Sequence, residues 1–479
     1  MMNKGYEAVI GLEVHAELKS ATKIFCACPT SFGAPANTQC CPVCLGLPGA
    51  LPVLNRRVVE LAVIAGLALN CEISTLSRTD RKQYFYPDLP KGYQISQAET
   101  PICRNGYLEI EAMDKTVRRV GIERIHIEED AGKLVHEGNE TLVDSNRCGV
   151  PLIEIVSRPD LRNGKEAAAY LKALRGVLLS CGVSDCRMQE GSLRCDVNVS
   201  VRKHGDTMLG VRTEIKNINS FAFVEKAIAY ETSRQIDLLE RGERIVTETR
   251  RFDASRGETV RMRVKETAED YRYLFEPDLL PIRLDENDIA RLRAQIPELP
   301  YVRADRLEKE YGISRENARI LTGELGMADY FEEGAQHTKY PRLLLNLLLS
   351  ELLRYCECDP FSSPVCAEAL AELADLLGER TINSATGKKL MSRMLTEEIS
   401  PRRVAADEGL TQITDEATIR SWVESAIEEM PRAVEDYRRG KNAAIKSLQG
   451  RVMAMSHGRA DPVLCEELLL KQLKEAGNT

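Results

Sequence analysis

Tyr6-Glu-Ala-Val-Ile-Gly-Leu-Glu-Val-His-Ala-Glu-Leu18 decides the fold. Ala8, Ile10, Leu12, Val14, Ala16 and Leu18 alternate with Val9, Gly11, Glu13, His15 and Glu17. Side chains two apart on a strand share a face. The pattern therefore predicts a half-buried strand that presents Glu13, His15 and Glu17 together, away from the core.

Four cysteines follow. Cys26-Ala-Cys28 and Cys41-Pro-Val-Cys44 stand twelve residues apart. Two such knuckles suit a tetrahedral zinc with thiolate ligands at roughly 2.3 Å. Four protein ligands leave no open position, so this zinc is expected to be structural. Pro42 and Gly46 supply turn residues. Cys40 is a fifth candidate, but Cys41 has the knuckle spacing to Cys44.

Carboxylates form the next constellation. Glu128-Glu129-Asp130 end the alternating run Val120–Ile127, and Glu154 interrupts the apolar run Leu152–Val156. An ionised carboxylate there is costly unless a cation meets it. Asp196 shares a polar strand face with Arg194 and Asn198, and Glu214 shares one with Arg212 and Lys216. With His15, these hard donors suit Mg2+, the companion of phosphoryl transfer. Taken singly, each residue is more often an ordinary ion pair, and His15 an ordinary strand histidine.

The loop Asp80–Tyr93 interleaves Arg81, Lys82 and Lys91 with Tyr84, Phe85, Tyr86 and Tyr93. Such a loop can touch phosphates while its rings stack on bases. We assign nucleotide contacts to Arg81, Lys82, Tyr84, Tyr86 and Lys91, and to Arg194 and Asp196. On pattern alone, a rigid structural loop is an equal reading. No Gly-rich loop ending in Gly-Lys-Ser/Thr occurs, so any ATP site is of another design. Near the C-terminus, Arg438, Arg439, Lys441, Lys446, Arg451 and Arg459 fall in a stretch with no acidic residue. That stretch suits an RNA backbone, against the bland reading of a solvated helix face.

The whole chain sets bounds on these readings. Its 479 residues suggest roughly two to four domains. A hydrophobic content of 43% permits large cores, and 5% aromatics leaves their packing to aliphatic residues. A net charge of −8 opposes polyanion binding by the surface as a whole. No apolar run reaches spanning length and the start lacks a signal-peptide layout, so a cytoplasmic protein without membrane contact is expected. That setting argues against a disulfide framework among the fifteen cysteines. Cys71, Cys181 and Cys195 read as small buried hydrophobes.

The pattern reads as short strands with helices at Val58–Leu69, Lys165–Leu179 and Val224–Leu239. Pro277, Pro281, Pro297 and Pro300 mark a boundary, beyond which helices recur with short connections. The expected architecture is α+β: residues 1–293, β-rich, then helical segments 294–403 and 404–479.

Long motifs carry a resemblance that covers the chain. Ile10-Gly-Leu-Glu-Val-His15, Cys41-Pro-Val-Cys-Leu-Gly-Leu-Pro-Gly49, Tyr84-Phe-Tyr-Pro-Asp88, His126-Ile-Glu-Glu-Asp-Ala-Gly-Lys133, Pro151-Leu-Ile-Glu-Ile-Val156, Glu190-Gly-Ser-Leu-Arg-Cys-Asp196, Glu214-Ile-Lys-Asn-Ile-Asn-Ser220 and Asp270-Tyr-Arg-Tyr273 resemble the B subunits of tRNA-dependent amidotransferases. The resemblance implies a cradle-like catalytic domain, a helical domain and a tail similar to the YqeY family. It implies partnership with an amidase A subunit and a small C subunit. The reaction implied is ATP- and Mg2+-dependent activation of the side-chain carboxylate of Glu-tRNA(Gln) or Asp-tRNA(Asn), then amidation with ammonia that the A subunit frees from glutamine. Carried onto this chain, the family's Mg2+ positions fall on His15, Glu129 and Glu154, with Glu13 and Glu214 beside them as further catalytic residues. Its zinc ligands fall on Cys26, Cys28, Cys41 and Cys44, and tRNA contacts on the basic tail. Arg158, where the family has glutamate, is expected to add charge near Glu154. A non-catalytic tRNA-binding scaffold is the rival reading.

Overall fold

The computed structural model describes residues 5–112, 114–264, 271–356 and 359–475. Asp270 of the last motif lies outside them. The chain divides into two compact units, Met1–Arg303 and Ala304–Thr479.

Tyr6–Glu17 is a strand at the middle of a nine-stranded sheet. Pro151–Ser157 and Leu193–Lys203 flank it, both antiparallel. Beyond the first lie Val117–Glu129, Cys103–Glu111 and Glu72–Ile73; beyond the second lie Thr213–Ile218, Glu248–Asp253 and Glu258–Val264. Thr213–Ile218 and Glu248–Asp253 pair in parallel. A parallel step needs a crossover, and the helix Phe221–Glu240 lies between those two strands in sequence.

One face of the sheet is buried. Ala8, Ile10, Leu12, Val14 and Ala16 join Ile125, Ile127, Ile153, Ile155, Val197 and Val199 in a single core. The helices Arg56–Ala68, Gly164–Ser180 and Phe221–Glu240 contribute Leu61, Leu171, Leu174 and Ile228 to it. Each fully buried aliphatic side chain contributes about 1.5–3 kcal/mol. Asn55, Asn163 and Ser220 start these helices, each side chain accepting a first-turn backbone N–H. All three helices were legible in the apolar spacing. The helix Glu286–Arg293 was not: of its residues only Leu292 is buried.

The second unit is helical and holds two apolar cores, one running from Ala304 to Ala405 and one from Ile419 to Leu473. Ile296 and Leu299 pack on the sheet core, the division falls inside the helix Pro300–Tyr311, and Ala405 belongs to the first helical core. Among the described residues no helix is long and apolar enough to cross a membrane.

Candidate metal and nucleotide site

The polar face of the sheet builds the site through its register. Arg194 and Glu154 stand opposite His15 on either side, and His126 stands opposite Glu154. Directly paired residues in an antiparallel sheet point the same way, so Arg194, His15, Glu154 and His126 form one row. Asp196 pairs with Glu13 in the next row, and Asn198 with Glu214 in the row after that.

His15 Nε2 and His126 Nε2 each lie 3.4 Å from Glu154 Oε2. His126 Nε2 also reaches Glu128 Oε1 at 3.1 Å, and Ser96 Oγ donates to the same oxygen at 2.7 Å. Burial opposes ionisation of Glu154, yet the hydrogen bonds from His126 and His15 hold its carboxyl well below the usual range. Burial likewise works against a charged His126, but Glu128 and Glu154 push it up to about 9. Glu13 is raised by burial and by the charges of Glu154 and Glu214. Asn198 Nδ2 donates to Glu13 Oε1 at 2.9 Å, and Thr249 Oγ1 to Glu214 Oε2 at 3.0 Å.

Two donor triads result, His15–Glu128–Glu154 and Glu13–Asp196–Glu214, each able to offer ligand atoms within 4.8 Å of one another. One imidazole and two carboxylates fit a hard divalent cation that keeps several waters. Glu129 does not join them. It shares the opposite face with Ile125 and Ile127, and Lys91 Nζ donates to both its oxygens at 2.5 Å. Period-two counting from Ile127 would have selected Glu128. The bulge near Asp196 was also illegible: two residues, Lys216 and Asn217, stand against it, Asn217 with φ 63°. Bulges re-aim side chains. Here Lys216 pairs with Asp196 and lies 3.4 Å from Glu214.

The cysteine quartet also assembles. Cys44 Sγ lies 3.4 Å from Cys26 Sγ and 3.7 Å from those of Cys28 and Cys41. Sulfurs about 2.3 Å from a tetrahedral centre are separated by about 3.8 Å, so the quartet fits zinc. The hydrogen bond from Cys26, with Lys23 nearby, lowers the Cys44 thiol to about 4. Cys40 stands apart, its Sγ on Asn37 O at 3.3 Å.

The expected nucleotide contacts divide. Lys82 faces the row: burial opposes its charge, but Glu128 and Glu154 raise it, and Nζ sits 4.9 Å from the Tyr271 ring centre. Tyr84 and Tyr86 stack at 5.7 Å. Arg81 is committed elsewhere, holding Glu276 at 2.7 and 2.9 Å and Asp278 at 2.8 Å. Arg194 bonds Asp130 at 2.8 Å. Arg158 reaches Asn105 Oδ1 at 3.3 Å and packs over Gly121, not Glu154.

In the tail, Arg439 meets Glu435 at 3.4 Å, Lys441 meets Asp436 at 2.9 Å, and Arg451 meets Glu429 at 2.6 Å. Arg459 caps Gly409 O at 3.2 Å. Arg438 and Lys446 are exposed. The acidic partners precede the acid-free stretch, so the linear reading missed them.

Residues 8–290 match the family model described as GatB/GatE catalytic domain, and residues 329–473 match the one described as GatB domain. The chain is 50% identical over 473 residues to the B subunit of the aspartyl/glutamyl-tRNA(Asn/Gln) amidotransferase of Clostridium tetani, covering 98% of this chain and 99% of that one. It is 49% identical to the protein of that name from Carboxydothermus hydrogenoformans over 476 residues, covering 98% and 99%. The Thermodesulfovibrio yellowstonii relative is 49% identical over 474 residues, covering 98% and 100%. Sheet, helical region and motifs agree with these matches along the whole length: the chain belongs to the family of B subunits of tRNA-dependent amidotransferases.

Proposed function

We propose that this chain activates and amidates the side-chain carboxylate of Glu-tRNA(Gln), Asp-tRNA(Asn) or both, in a complex with an amidase A subunit and a small C subunit. A carboxylate resists amidation because its leaving group would be oxide. Its oxygen attacks the γ-phosphorus of ATP and ADP departs. Ammonia then attacks the acyl carbon, phosphate departs with one former carboxylate oxygen, and the nitrogen loses a proton.

His15, Glu128 and Glu154 would hold Mg2+, which when bound supplies positive charge to phosphate oxygens. The residues around them do the rest. His126 spans Glu128 and Glu154 and fixes their carboxylates. Lys82 presents an ammonium to the same floor, suited to a phosphoryl group. The stacked Tyr84 and Tyr86 offer faces to a base. The floor is solid sheet with the core behind it, which keeps water from one side of a hydrolysable acyl phosphate. The quartet would hold structural zinc, and the exposed Lys446 would meet the tRNA backbone.

The observation that carries this reading is the row His15–Glu154–His126 with Glu128, a preassembled donor set on the polar face of the sheet. The test is ADP release from labelled ATP by the purified complex with misacylated tRNA and no ammonia donor. Release that requires both the tRNA and Glu154 is expected. A folded Glu154→Gln complex that still binds tRNA and releases ADP at the wild-type rate would return the chain to the role of a scaffold.

A further inference from the structure

Glu129 is buried, yet no proposed cation ligand touches it. Its carboxylate is answered from elsewhere. Lys91 Nζ binds both oxygens at 2.5 Å, and Ile95 N donates to Oε1 at 2.9 Å. A buried carboxylate without its counter-ion is strongly destabilising, so the position of Lys91 matters.

The cysteine quartet sets that position. Gly46, two residues beyond Cys44, has φ 63° and lies flat against Lys91. A Cβ there would stand 2.5 Å from Lys91 Cγ and 3.1 Å from its N and Cα. Turn hydrogen bonds bind this segment to the knuckle: Leu45 N to Cys41 O at 3.0 Å, and Gly46 N to Val43 O at 3.1 Å. The Lys91 ammonium also lies 5.6 Å from the ring centre of Phe25, the neighbour of Cys26. Beyond Lys91 the strand Tyr93–Ser96 reaches the donor row. Gln94 Nε2 donates to Glu129 O at 2.8 Å and to Glu128 Oε2 at 3.3 Å, and Ser96 Oγ holds Glu128 Oε1 at 2.7 Å. Contacts thus run unbroken from the thiolates to a carboxylate of the cation triad.

We propose that Lys91 and Glu129 form a positioning link through which metal occupancy of the cysteine quartet sets the divalent-cation affinity of the His15–Glu128–Glu154 triad. It rests on the reading that this triad takes a divalent cation. Loss of the quartet's metal frees the turn that holds Lys91. Glu129 then loses its fixed counter-ion, and Gln94 and Ser96 shift with it. Removing the outer partners of a metal ligand typically lowers affinity about 10- to 100-fold.

The test uses the full chain and Mn2+ alone as probe, with binding read by the electron-paramagnetic signal of free Mn2+. Wild type is compared before and after zinc is stripped by a zinc-selective chelator that is then dialysed away. Stripping is expected to weaken Mn2+ binding about tenfold. Lys91→Met/Glu129→Gln, which removes both charges and leaves neither ion unpaired, should bind Mn2+ that weakly with zinc in place and change less than about twofold on stripping. Lys91→Arg should restore the response, which a merely structural role would not predict. If the double variant does not fold, Glu129→Gln alone is read in the same way. A wild type indifferent to stripping overturns the link, as does a double variant with wild-type affinity and response. Glu154→Gln separates the two levels: if it binds Mn2+ as wild type does, the triad is not the cation site, and the divalent reading falls with the link.

Discussion

Lys23→Met should loosen the metal of the cysteine quartet. Lys23 is fully buried, and its ammonium meets Cys44 Sγ at 3.5 Å and Ser145 O at 3.4 Å. A buried ammonium needs an anionic neighbour to offset its desolvation. Four thiolates around a divalent cation leave two negative charges, roughly half a charge on each sulfur. Half a charge at 3.5 Å and an effective dielectric constant of about 20 is worth about 2 kcal/mol. That stabilisation favours the loaded quartet, because its two negative charges exceed the single thiolate of the empty one, where Cys44 is lowered but its neighbour Cys44 raises Cys26 and burial raises Cys28. Methionine keeps the length and apolar body of the stem and removes only the charge. Zinc affinity should therefore fall about thirtyfold, measured by competition with a chromophoric chelator at fixed pH. An affinity within about twofold of wild type, in a variant that melts normally, would mean that the Ser145 carbonyl suffices for Lys23 and that the charge argument is wrong.

Other expectations follow from groups outside the site. Glu231 is fully buried and binds Arg234 at 2.6 Å, Gln235 at 2.8 Å and Thr259 at 2.9 Å. Glu231→Gln should cost about 3 kcal/mol in urea unfolding because it takes a fully buried negative charge away from the half-buried Arg234 and Arg250. Glu248 works against burial, but the hydrogen bonds of Arg261 and Arg250 depress its carboxyl below the ordinary value of 4.5. A depressed folded value adds stability that is present above that ordinary value and lost as pH falls through the folded one, so Glu248→Gln should flatten the acid limb of the stability curve recorded by thermal melts. In the tail, Lys446→Ala should reduce the slope of log affinity for tRNA against log salt by about 0.7 to 0.9. An unchanged slope would remove Lys446 from the RNA contact.

Legibility followed the strength of each local signal. The strand Tyr6–Glu17 and the helix Gly164–Ser180 bury one regular face, so apolar spacing found them. The helix Glu286–Arg293 buries one residue, and its proline-rich surroundings read as a linker. At the site, Glu13, His15 and Glu154 were visible because a charge in an apolar strand demands an explanation. Glu128 was not, since the adjacent Glu129 is chemically identical and parity alone separates them. Pairing across strands lies beyond one-dimensional reading: the aim of Lys216 depends on a bulge, and the partners of the basic tail come from Glu429, Glu435 and Asp436 on preceding turns.

The charge balance of the floor explains why it should be a cation site before it is a nucleotide site. Glu13, Glu128, Glu154, Asp196 and Glu214 share that face, and Lys82 and Lys216 are the lysines set against them. Lys216 is spent on Asp196 and Glu214. His126 stabilises Glu128 and Glu154 only while it carries a proton. A polyphosphate approaching this surface meets net negative charge with little intervening water, where repulsion between like charges is strong. A divalent cation held by His15, Glu128 and Glu154, as proposed, would invert that field locally. The same carboxylates that exclude a bare polyphosphate would then anchor what attracts it, so a floor hostile to phosphate in isolation would become selective for phosphate that arrives with its metal.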